Sequence, residues 1–168
     1  SSITDPRTGE IIKGHVSLGS LRIRQDFMIA QALAEKPFEA SDTNHQQLLD
    51  LALARIRQLS AHEIGHTLGF AHNFAASSTG KASVMDYPHP DFRLNAGKVD
   101  FSQAYETGIG DWDKVTVAYS YSDFTEGTNS KKALMDILDT ARESGLFYIS
   151  DRDARAQGGA HGSAHLWD

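Results

Sequence analysis

The eleven consecutive residues His62-Glu63-Ile64-Gly65-His66-Thr67-Leu68-Gly69-Phe70-Ala71-His72 restrict this chain more than any other stretch. In an α-helix, positions i and i+4 project from one face a turn apart, so a helix here lets His62 and His66 offer two imidazole nitrogens to one point. Gly69 accepts a left-handed backbone without a Cβ penalty, so the helix can end there and the chain can swing His72 back towards the same point. Three neutral imidazoles meeting in this way suit a single zinc ion, with the fourth position left for water. Glu63 follows the first histidine and can reach the open side of the metal without coordinating it, the placement of a general base for a zinc-activated water.

Chance is a poor explanation. With 8 His and 7 Glu in the chain, an accidental H-E-x-x-H has a probability of about one or two in a hundred, and demanding Gly69 and His72 lowers it to roughly one in ten thousand. The chain has no Cys, so thiolate ligands, disulfides and a cysteine nucleophile are excluded and histidine must do any metal work. A formal charge of -6 gives no electrostatic reason to expect nucleic acid or an acidic membrane as partner. No apolar run approaches the length of a membrane span, and the start Ser1-Ser2-Ile3-Thr4-Asp5-Pro6 lacks a signal-peptide pattern. The absence of an initiator Met and the strand-like opening point to part of a longer chain.

Length and composition favour one domain over residues 1–168. Ile3-Thr4, the turn formers from Asp5 to Gly9, and Ile11 to Leu18 read as two strand segments joined by a turn. Leu21, Ile23, Phe27, Met28, Ala32 and Leu33 recur at mostly helical spacing, predicting a packing helix to about Ala34. Thr43 with Gln46 forms a capping-box pattern that opens the next helix. Its apolar stripe runs through Leu48, Leu49, Ala52, Leu53, Ile56, Leu59, Ile64 and Leu68, so His62, Glu63 and His66 fall in its last turns. Residues 70 to 108 read as mostly irregular chain. Further helices are predicted over Asp111 to Tyr121 and Lys131 to Ser144, the second with Leu134, Ile137, Leu138 and Ala141 inward and Gly145 at its end, before a polar, glycine-rich tail from Asp151.

The stretch from His62 to His72 resembles the long zinc signature of the metzincin peptidases, and Ser83-Val84-Met85-Asp86-Tyr87 resembles their Met-turn, whose methionine underlies the metal as an apolar base. Met85 arrives 13 residues after His72 and takes that role. Tyr87 matches the position where astacin-like and serralysin-like members carry a tyrosine that touches zinc or the oxyanion of the transition state. The segments Asp5 to Leu18 and Gly108 to Lys114 look like parts of large, multi-domain bacterial proteins of this kind, described as zinc-dependent metalloproteases. The resemblance implies an α+β metzincin-like catalytic domain, N-terminally truncated or built differently upstream, with a long zinc helix, a Met-turn, a mainly helical C-terminal part and an N-terminal hairpin or edge strand. It implies one catalytic Zn2+ and hydrolysis of a peptide or protein substrate, in a secreted, periplasmic or cell-envelope setting. In metzincins the strand before the zinc helix forms the cleft rim, which makes Gly14, His15 and Val16 candidate substrate-binding residues, with His89 in the wall beyond the Met-turn. Asn73 follows the third histidine in place of the Asp, Ser or Glu that labels several named families, so none of those families is assigned.

For His15, His45, His89, His161 and His165 an ordinary surface or packing role outweighs a second metal site; the glycines around His161 and His165 argue against a helix that would pair them. A zinc peptidase with a carboxylate third ligand is disfavoured, because no Glu lies between Glu63 and Glu106 and Asp86 belongs to the Met-turn match. The rival from another class is a catalytically inactive, zinc-stabilised binding module. Structural zinc sites usually complete four protein ligands, and Glu63 would then have no purpose.

Overall fold

A computed structural model describes residues 1–34, 45–87 and 90–154. They form two compact units: residues 1–34, 45–67 and 90–108, and residues 68–87 with 109–154. The architecture is α+β, as expected, with helices and two small antiparallel strand pairs. The Thr43–Gln46 cap, His89, His161 and His165 lie outside the described residues.

In the first unit, β1 (Ser2–Thr4) pairs antiparallel with β2 (Ile11–Gly14), matching Ser2 with Gly14 and Thr4 with Ile11. The turn closes on Asp5, whose backbone carbonyl accepts from Gly9 N and whose carboxylate accepts from Arg7 N, each at 2.8 Å. The Arg7 guanidinium beside it holds the Asp5 carboxyl below its ordinary value. β2 is shorter than the predicted strand. It stops at Gly14, and the pairing ends with His15 N donating to Ser1 O at 2.8 Å.

Helix α1 (Ser20–Leu33) packs on α2 (His45–Thr67). Ala30, Ala34, Leu48, Leu51, Phe101 and Ala104 form the core, flanked by Phe27, Phe92, Val99 and Tyr105. Leu21, Met28 and Leu33, predicted to pack inward, are exposed, since the α1 contact surface is the small Ala30 with Phe27 beside it. The buried stripe of α2 also differs from the apolar one: it runs Leu48, Leu51, Ala52, Arg55, Gln58, His62, Gly65, whereas Leu49, Leu53, Ile64 and Leu68 are exposed. These spacings of three and four residues are one helical face. Its polar members are partly satisfied within it: Arg55 Nη1 donates to Gln58 Oε1, and the Arg55 guanidinium lies 5.3 Å from the Tyr105 ring centroid.

The described part of residues 70 to 108 is more regular than predicted. Ala76–Thr79 form a 3-10 turn, and β3 (Arg93–Asn95) pairs with β4 (Lys98–Asp100). Ala96 and Gly97 make that hairpin turn with φ of 51° and 81°, the left-handed pair that a two-residue hairpin loop requires.

The second unit is built on α3 (Asp111–Tyr121), α4 (Ser130–Glu143) and the short α5 (Asp151–Ala154). Leu134, Ile137 and Leu138 are half-buried and Ala141 fully buried, the inward face predicted for α4. Trp112 stacks on Tyr148 with ring centroids 5.7 Å apart. Phe74 and Ala154 are buried together, with Ile149 against them.

Candidate metal centre

His62 lies on the buried stripe of α2 and is only 4% exposed, so its ring is aimed by packing. One turn on, the His66 ring meets it edge to face, with the two Nε2 atoms 3.1 Å apart. Two imidazole nitrogens at that separation form a donor pair suited to a cation. α2 ends at Thr67, and Gly69 has φ of 90°, a left-handed conformation that would strain any residue with a Cβ. One ring nitrogen from each of His62, His66 and His72, all within this continuous stretch, lies within 4.8 Å of the other two. The donor set fits zinc: three nitrogen ligands of the favoured type, two from one helix face and one from the turn beyond it. Glu63, between the two helical ligands, is half-buried.

His72 is held at both ends of its ring. Nδ1 lies 2.9 and 3.1 Å from the two carboxylate oxygens of Asp151, and Nε2 lies 2.9 Å from the Tyr87 hydroxyl. The ring packs against Phe74 and Tyr87, at centroid distances of 5.5 and 4.9 Å.

Three polar side chains, each almost wholly buried, secure the loops around it. Asn73, 0% exposed, donates from its backbone N to Met85 O at 3.0 Å and from Nδ2 to Phe147 O at 2.8 Å. Its Oδ1 accepts from Ala75 N and Ile149 N at 3.1 and 3.0 Å. Asp86 accepts from Ser77 N at 2.8 Å, Ser77 Oγ at 2.5 Å and Tyr87 N at 2.7 Å. Asp113, in the first turn of α3, accepts from Ser83 Oγ at 2.5 Å, Val84 N at 2.8 Å and Gly110 N at 2.7 Å. Gly110 runs so close to the same loop that a Cβ there would lie 2.0 Å from Ala82 O. The turn carrying Met85 is thereby clamped from two sides, and Met85 itself is buried.

Met85 also lines an open, largely apolar cavity of about 660 Å³ in the second unit, with Phe70, Trp112, Tyr119, Leu138 and Tyr148 among its walls. Burial raises the Tyr148 phenol above its ordinary value, with Asp151 and Asp153 adding to the effect.

Of the other predicted residues, Gly14 packs against α2, where a Cβ would lie 2.5 Å from Thr67 Cβ. His15 Nε2 is 3.0 Å from Ser17 Oγ, and Val16 is half-buried. His45 lies edge-on to Phe27, a packing role. Asp151 and Asp113 are site residues beyond those that the zinc signature and the Met-turn point to. Asp113 carries a signal, an acid in the first turn of a helix after a glycine, whereas Asp151 sits in what reads only as a polar tail.

Among the described residues no helix is long and apolar enough to cross a membrane. No curated protein and no solved structure matches the chain. Residues 44–168 match a family model described as Met-zincin.

Proposed function

Because the chain belongs to the Met-zincin family, we propose that it is the catalytic part, a single domain or a piece of one, of a zinc-dependent endopeptidase. The observation that carries this reading is the convergence of three imidazole nitrogens within 4.8 Å of one another. His62, His66 and His72 would hold the ion. Bound there, zinc supplies a Lewis acid that polarises a carbonyl group and acidifies water.

The remaining roles fall to the chain's own groups. The Glu63 carboxylate takes a proton from the attacking water and delivers it to the nitrogen of the departing amine. The Tyr87 hydroxyl, beside His72 Nε2, is a donor available to the oxygen on which negative charge develops. Met85, buried in its clamped turn, gives the centre an apolar floor. An extended peptide pairs with the edge of β2, near Gly14, His15 and Val16; main-chain pairing of that kind holds a substrate with modest side-chain preference. The packing of Gly14 on Thr67, at the end of the helix that bears two ligands, supports that placement. The whole protein, with any further domains, is the setting in which the chain acts on peptide or protein substrates.

Hydrolysis of a mixed peptide library by the zinc-loaded protein, with Glu63→Ala as control, tests the proposal. The expected result is cleavage that falls by at least about 100-fold in the variant, the lower range for loss of a general base. Equal turnover by both would remove Glu63 from the mechanism, and no turnover by the full-length protein would favour an inactive, zinc-stabilised binding module.

A further inference from the structure

We infer that Asp151 is a positioning residue for the metal centre: its carboxylate grips Nδ1 of His72 and thereby commits Nε2 of that ring to the metal. The inference rests on the zinc reading above and extends it to a residue 79 positions away in sequence.

An ionised carboxylate offers only acceptors. With both Asp151 oxygens within 3.1 Å of Nδ1, the proton of the neutral ring belongs on Nδ1 and the lone pair on Nε2. The second contact of the ring agrees, because a bare Nε2 is an acceptor and its neighbour at 2.9 Å, the Tyr87 hydroxyl, is a donor. A metal-ligating histidine whose other nitrogen is held by a carboxylate has its tautomer and orientation fixed and its basicity raised. His72 has most need of such a partner, since it sits in the turn beyond α2, whereas His62 and His66 are spaced by the helix itself.

The Asp151 backbone is placed for this task. Phe74 N donates to Ile149 O, and Ile149 N donates to Asn73 Oδ1, both at 3.0 Å. Two residues beyond Ile149, Asp151 opens α5; that turn is closed by Ala154 N donating to Ser150 O at 2.9 Å and anchored by buried Ala154 against Phe74. The segment that bears the carboxylate is thus tied to the two residues that follow His72. The Asp151 side chain is 47% exposed against 16% for His72, so its effect comes from directed hydrogen bonding rather than from a charge pair sheltered from solvent.

The test is zinc affinity, by competition with a chromophoric chelator, for the wild-type protein, Asp151→Ala, Asp151→Asn and His72→Ala, together with 15N NMR of the His72 ring in the zinc-loaded wild type. Asp151→Ala should bind zinc 10- to 100-fold more weakly. Asp151→Asn, which keeps an oxygen acceptor in place, should lie nearer the wild type than Asp151→Ala. The NMR pattern should show a proton on Nδ1 and none on Nε2, a readout that needs no variant to fold. Affinity of Asp151→Ala within twofold of wild type, or a ring protonated on Nε2, would overturn the inference. Unchanged affinity in His72→Ala would instead refute the zinc reading beneath it and take this inference with it.

Discussion

Asn73, Asp86 and Asp113 are buried polar residues whose side chains hold loops, and each uses both of its terminal atoms to do so. At Asp113 both carboxylate oxygens accept from donors, among them the amides of Val84 and Gly110. Asp113→Asn keeps the shape but turns an NH2 group towards at least one donor. An unsatisfied buried donor costs about 1–3 kcal/mol, so the variant should lose stability of that order in urea denaturation; a midpoint equal to wild type would contradict the clamp. Asn73 uses both ends of its amide, and Asn73→Ala should lose about 2–3 kcal/mol by the same reasoning. His72 differs in kind. It lies beyond the end of α2, so His72→Ala should cut zinc affinity severely while leaving the far-ultraviolet circular dichroism unchanged; normal zinc content in the purified variant would refute its role as a ligand.

At the level of elements, the segment from His62 to His72 was legible because its geometry is local: helical spacing brings two rings together, and Gly69 at φ 90° ends the helix. An L-residue forced into that conformation costs roughly 1–2 kcal/mol. Gly69→Ala should therefore lower both stability and zinc affinity, whereas Gly9→Ala, at φ 76° in the exposed β1–β2 turn, should lower stability alone; equal zinc affinity in both variants would sever Gly69 from the site. The bounds of α3 and the inward face of α4 were legible for the same local reason. The buried face of α2 was not, because it carries Arg55, Gln58 and His62, polar residues that an apolar pattern assigns to solvent. The β3–β4 hairpin was hidden by its short strands and by Ala96 at φ 51°, where turn rules lead one to look for Asn, Asp or Gly. The contact of His72 with Asp151 was hidden by distance along the chain, since periodicity carries no information across 79 residues.

For the molecule as a whole, a metal that binds only the native chain adds stability through linkage. At free zinc one hundred times the dissociation constant the gain is about 2.7 kcal/mol, so chelation should lower Tm by roughly 5–10 °C for a chain of this size. Zinc K-edge X-ray absorption on the stoichiometric complex tests the central claim most directly. The account predicts one zinc per chain bound by three imidazole nitrogens at about 2.0–2.1 Å, with one further light-atom ligand that is not a histidine. A fit that requires four protein ligands, or fewer than three histidines, would contradict it.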